Sequence, residues 1–242
     1  MADDRKRLSV PPTGGVPTRS APGEIDAFLM NARAVSTPPA GSPRLVFALD
    51  ATMSRQPTWD LASHVQAGMF EAAAATGSLA VQLVYFRGLG ECRASRWVGD
   101  PRSLRSMMAG IDCRSGRTQI GKVLAHARRE AERGPLKALV FVGDAVEEPV
   151  DDLCAAAGQL GLVGVKAFMF HEGRDPAAAS AFAQVARLTG GAALRFDAGA
   201  PATLAALLRA VAAYAAGGSS ALRRLADRDG DARRLVTAMP TA

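Results

Sequence analysis

Aromatic side chains supply only 5% of this 242-residue chain, with two tryptophans and two tyrosines. So little aromatic volume beside so much alanine argues against a β-sandwich. It favours helices packed on a sheet through small contact residues. Cysteine is scarce too: Cys92, Cys113 and Cys154 are an odd number without C-x-x-C spacing. That excludes a disulfide framework and a cysteine zinc site, and the three read as reduced, partly buried thiols. The histidines, His64, His126 and His171, are scattered and read as surface or packing residues. The N-terminal "MADDRKRLSVPPTGGVPTRSAPG" has charge but no apolar core segment, so it is not a secretory signal. No run reaches the roughly 18 uninterrupted apolar residues of a membrane span. The nearest, "ATLAALLRAVAAYAA", is broken by Arg209, and its Leu204, Leu207, Leu208 and Val211 share one helical face. A soluble, cytoplasmic protein is expected.

What is present is a full complement of core-forming residues, 48% hydrophobic against 21% charged. The net charge of +6 and a pI near 9.8 favour acidic partners without identifying them. Residues 1–43 are rich in Pro, Gly, Ser and Thr and read as a mobile arm. Within it Ile25, Phe28, Leu29 and Ala32 lie at helical spacing, which suggests a short helix over 24–35. From Arg44 strands and helices alternate. Strands are expected at about 44–49, 79–86, 136–143, over "LVGVKAFMF" and over "AALRF", with "CRASRWV" as an antiparallel edge strand. Helices are expected at about 58–76, over "DPRSLRSMMAGI" with Asp100 as N-cap, and at about 119–133 and 148–160. Two more fall over "PAAASAFAQVARLTGG" and at about 203–216. The domain is expected to close at 217, leaving 218–242 as an Arg-rich tail, loosely helical or disordered. The fold class is α/β: a doubly wound, mostly parallel six-stranded sheet with helices on both faces.

The first strand, "RLVFALD", ends on Asp50, and hydroxyls follow at Thr52 and Ser54. The strand "LKALVFVG" runs into Asp144, and the loop "CRSGRTQ" offers Thr118 just before a helix. In open parallel sheets ligands bind outside the carboxyl ends of strands, where strand order reverses. If the strands before Asp50 and Asp144 are neighbours at that reversal, the carboxylates and hydroxyls share one crevice. Such an oxygen-only set suits magnesium, with manganese and calcium as alternatives. The bland reading, in which each residue merely caps a helix, needs three separate coincidences.

In these residues the sequence resembles the von Willebrand factor A (VWA) family, in a bacterial intracellular form. Its metal-ion-dependent adhesion site combines a D-x-S-x-S loop, a later threonine and an aspartate after a later strand. Here "DATMS", Thr118 in "SGRTQIG" and Asp144 in "VFVGDA" fill those positions, over about Arg44 to Gly217. Thr52 in place of serine keeps the hydroxyl, and "VGDA" departs from the hydroxyl-before, glycine-after pattern common around that aspartate. The resemblance implies a Rossmann-like VWA fold and a metal, magnesium first, held by Asp50, Thr52, Ser54, Thr118 and Asp144. It implies protein–protein recognition without turnover, with a partner's Glu or Asp filling the open coordination position. Arg55 and Arg117 would steer that acidic partner, and Trp59 and Met53 would anchor it. Similar proteins often work beside AAA+ ATPases or in stress-response complexes.

Enzyme readings fare worse. A phosphotransferase of the haloacid dehalogenase type needs a second acid two residues after the strand-end aspartate, and Thr52 stands there. A nucleotide-binding glycine loop and a G-x-S-x-G elbow are both absent. Nucleic-acid binding through the Arg-rich termini is the runner-up, supported by net charge alone.

Overall fold

The computed structural model describes residues 38–53, 69, 78–197 and 201–240. The N-terminal arm up to residue 37, the expected helices at 24–35 and 58–76, and Ser54, Arg55, Trp59 and His64 lie outside the described residues.

Six strands form one sheet: β1 (Arg44–Asp50), β2 (Ala80–Arg87), β3 (Glu91–Val98), β4 (Leu136–Gly143), β5 (Lys166–Glu172) and β6 (Ala192–Phe196). Their order is β3-β2-β1-β4-β5-β6. All neighbours run parallel except β3, which pairs antiparallel with β2. The strand order reverses between β1 and β4. The doubly wound sheet with one antiparallel edge strand is therefore as the sequence pattern implies.

Six helices are described: α1 (Pro101–Ala109), α2 (Ile120–Arg133), α3 (Val150–Leu162), α4 (Pro176–Thr189), α5 (Pro201–Ala226) and α6 (Gly230–Ala238). Strand alternation sends side chains to opposite faces. Leu45, Phe47 and Leu49 of β1 join α1, α5 and α6 in one core layer. Val46 and Ala48 join α2, α3 and α4 in the other. Burial on both faces is why β1 and β4 are almost unbroken apolar runs. Helix α1 starts where Asp100 accepts hydrogen bonds from the backbone N–H and the hydroxyl of Ser103, at 2.9 and 2.6 Å.

The chain departs from the sequence reading in three places. The expected strand "LVGVKAFMF" begins only at Lys166, because α3 runs on to Leu162 and a turn at Gly164 (φ 78°) separates them. Helix α3 begins at Val150 rather than 148, because Pro149 precedes it and Glu148 serves another helix. Most important, residues 219–238 are not a loose tail. Gly218 (φ 69°, ψ −167°) leaves helical geometry, so the first part of α5 ends close to the expected 216 and a second helical segment follows across a kink. Beyond the kink Leu222, Ala226, Ala232 and Leu235 are buried in the same core layer as Leu204, Leu207, Leu208 and Val211. Arg209 reaches back to Asp229, the N-cap of α6, at 3.0 Å. By length and composition alone residues 202–226 are long and apolar enough to cross a membrane. In the fold that apolar face covers the sheet.

Candidate metal centre at the sheet switch point

Leu49 of β1 stands opposite Val142 of β4, so Asp50 and Asp144 emerge side by side where the strand order reverses. A cavity of 280 Å³ opens there. Asp50, Thr52, Met53, Thr118 and Asp144 line it, together with Ser115, Gly116, Ala145 and Glu147. Five residues singled out from sequence thus meet in one cavity. Arg117 does not line it, but is exposed between the lining residues Gly116 and Thr118.

Each side chain is placed by a different device. Asp50 is buried at the strand end, and its Oδ1 accepts the Thr52 N–H at 2.8 Å, which folds the chain back toward the cavity. Asp144 follows β4 directly. Its carboxylate has no hydrogen-bond or ion-pair partner among the described residues, although the residue is half-buried. A half-buried carboxylate with nothing to bind is costly unless a cation or donor joins it.

Thr118 is held by a reciprocal pair that sequence reasoning missed. Its N–H donates to a Glu147 carboxylate oxygen at 2.9 Å, and its hydroxyl oxygen accepts the Glu147 N–H at 2.9 Å. The Thr118 hydroxyl therefore caps no helix, which removes the bland reading for that residue. One lone pair remains for another partner. Glu148, one residue on, donates nothing and accepts the N–H groups of Ile120 and Gly121 at 2.7 and 2.8 Å. Helix α2, whose own N-cap Gln119 makes no side-chain cap bond, borrows its cap from the loop after β4.

The threonine loop is also fastened to the β2–β3 turn. Gln119 Nε2 donates to the carbonyls of Arg87, Gly88 and Glu91 at 3.3–3.4 Å. Arg117 N–H donates to Gly88 O at 3.1 Å. A Cβ on Gly116 would fall on the Gly88 backbone, so only glycine allows the two loops to meet. Beneath the turn Arg87 pairs with buried Glu91 at 3.3 Å. Burial, ahead of the charges nearby, pushes the Tyr85 phenol up to about 12.

The donor set fits a hard divalent cation: two carboxylates and two hydroxyls, all oxygen. No group of three or more His, Cys, Asp or Glu side chains able to hold a metal occurs among the described residues. Glu147 is turned to Thr118, so the set relies on hydroxyls beside two carboxylates. Away from this cavity, burial pushes the Cys92 thiol up to about 11. His171 is buried with its ring edge-on to Phe182, a packing role.

No family model and no curated protein matches the chain. Solved structures do. A von Willebrand factor type A protein from Catenulispora acidiphila aligns with a TM-score of 0.58 at 20% identity, over 74% of this chain and 43% of that one. The VWA domain of SpRpn10 aligns with a TM-score of 0.54 at 12% identity, over 67% of this chain and 95% of the domain. Proximal thread matrix protein 1 from the mussel byssus, with a zinc-occupied MIDAS motif, gives 0.56 at 14% identity, over 72% and 46%. The chain thus spans under half the length of the Catenulispora protein it resembles. Its fold is the VWA fold.

Proposed function

We propose that this protein is a metal-dependent protein-recognition module. Asp50, Thr52, Thr118 and Asp144, with Ser54 from outside the described residues, would hold a divalent cation, magnesium first. A carboxylate from an acidic partner would complete its coordination. The observation that carries this reading is the meeting in one cavity at the switch point of Asp50, Thr52, Thr118 and an Asp144 carboxylate that has no hydrogen-bond or ion-pair partner among the described residues. The similarity to a neighbour whose MIDAS motif is occupied by zinc supports a divalent cation at the equivalent place.

The cation would act as a Lewis acid that accepts the partner's oxygen. Few direct carboxylates leave it electron-poor, and that strengthens its hold on an incoming carboxylate. The chain's own residues shape the contact. Met53, 57% exposed on the cavity rim, offers an apolar anchor, and Arg117 a charge that attracts acidic segments. Arg55 and Trp59 keep the same proposed roles. Phosphotransfer of the kind that needs a second acid two residues after the strand-end aspartate has no support, because Thr52 stands at that position.

The test is capture of a carboxylate-bearing partner, with Mg²⁺ and with chelator, by wild type and Thr118→Ala. Capture should fall on chelation and in the variant, and chelation should add little to the variant. Additive losses would mean that metal and threonine act at separate places. Retention of DNA in place of acidic protein would favour the nucleic-acid reading.

A further inference from the structure

A second recess lies away from the switch point, between the edge strand β3 and helix α2. It has a volume of 210 Å³. Its floor is apolar, made by Val84, Ala94 and Ala125 with the Cys92 thiol, and its rim is cationic. Lys122 and Arg129 come from α2, and Arg93 from β3. Among the described residues no acidic side chain lines it.

The rim cations are under-used. Arg129 is exposed, with no ion pair or hydrogen bond among the described residues. Arg93 meets Glu91 only at 3.9 Å, and its side chain stays 44% exposed. Lys122 spends two donors on Gly90 O and Gln119 Oε1, at 3.0 and 2.8 Å, which fixes its ammonium at the mouth and leaves one N–H. The nearby acids are engaged elsewhere. Glu91 holds Arg87, Glu130 holds Trp97 and Arg133, and Glu148 caps α2. Three cations therefore face one apolar recess, and among the described residues their only ion pair is the long contact of Arg93 with Glu91.

His126 belongs to the wall rather than the charge. Gln82 Nε2 donates to Ser95 O at 2.8 Å, so its Oε1 is the acceptor facing His126 Nε2 at 2.8 Å. That puts a proton on His126 Nε2, and burial lowers the ring below its ordinary 6.5, which favours the neutral form.

We propose that this recess is a second contact surface, which takes an acidic segment of a partner protein independently of any metal. An apolar side chain of the segment sits on Val84, Ala94 and Ala125, and flanking carboxylates meet Arg93, Lys122 and Arg129. A nucleic acid fits less well. The cations ring one small apolar recess rather than tracking a backbone, and among the described residues no phenyl, phenol or indole ring lines it for a base to stack on. Among the described residues strand β3 is bonded only to β2, which leaves its other edge for the partner to approach.

The test uses the full chain in EDTA, which silences the metal reading. A fluorescent heptapeptide with one leucine between two runs of three glutamates is titrated by anisotropy. Binding is expected, weakened by salt and reduced about ten-fold or more by Arg93→Glu with Arg129→Glu. Asp50→Ala should leave it unchanged. Both arginines are exposed, and an unchanged melting curve checks the fold of the variant. A gentler pair, Arg93→Gln with Arg129→Gln, should give a smaller loss in the same direction. The proposal is overturned by no binding, by equal binding of the lysine counterpart, by tighter binding of oligothymidylate, or by indifference to both pairs. Binding that needs Mg²⁺ and Asp50 would overturn this surface while supporting the metal centre.

Discussion

The two sides of the switch-point cavity are built differently. Asp50 and Asp144 ride on the ends of β1 and β4, strands buried on both faces. Thr118 rides on a loop without regular structure, held by borrowed groups: Glu147, Glu148, Gln119 and a glycine contact with the β2–β3 turn. Position on the strand side is a by-product of the core. On the loop side it rests on a handful of hydrogen bonds, each worth about 0.5–1.5 kcal/mol net. A ligand that needs both sides can therefore shift the loop side without disturbing the sheet.

Substitutions can separate the two sides. The largest effect is expected on the strand side. Phe141 of β4 is fully buried and packs edge-on to Phe182 at 5.4 Å between centroids. Phe141→Ala should cost about 3–5 kcal/mol, read by urea unfolding, with the whole domain destabilised. Gly116→Ala comes next, because its Cβ must push the Gly88 backbone aside. A loss of about 1–3 kcal/mol is expected, with weaker Mn²⁺ binding than Phe141→Leu shows. Glu148→Ala strips the cap from α2 and should cost about 1 kcal/mol. Hydrogen exchange should then rise at Ile120 and Gly121 but stay slow in β1.

The smallest effect lies far from the site. Asp229 is held below its ordinary value of 3.8. Burial works in the opposite direction, but the N–H of Ala232 and the Arg209 guanidinium outweigh it. A lowered carboxylate contributes stability that is present above its unfolded value and lost as pH falls through the folded one. Asp229→Asn keeps a capping side chain and should flatten the acid side of the stability profile slightly. Metal binding should be untouched.

Much of the strand side was legible in the sequence, because an apolar run ending in a carboxylate is local information. "RLVFALD" and "LKALVFVGD" mark both strands and their terminal acids within one residue. The loop side was legible only at Thr118. Glu147 and its partner are 29 residues apart, and no local pattern links them. The C-terminal helices were misread for a different reason. Gly218 does break the helix, close to the expected end, but a second helical segment follows, and its i, i+4 pair Leu222 and Ala226 continues the buried face. Arginine density hid that stripe. A stable core should accordingly need residues up to about 238 rather than ending at 217.

The most direct test of the metal centre is Mn²⁺ titration followed by the EPR signal of the free ion, on wild type, Asp50→Ala, Asp144→Ala and Glu147→Ala. The account predicts one weak site in wild type, abolished in both aspartate variants. In Glu147→Ala the site should persist with altered affinity, because that carboxylate positions Thr118 rather than forming part of the donor set. Binding that survives loss of either aspartate would contradict the account.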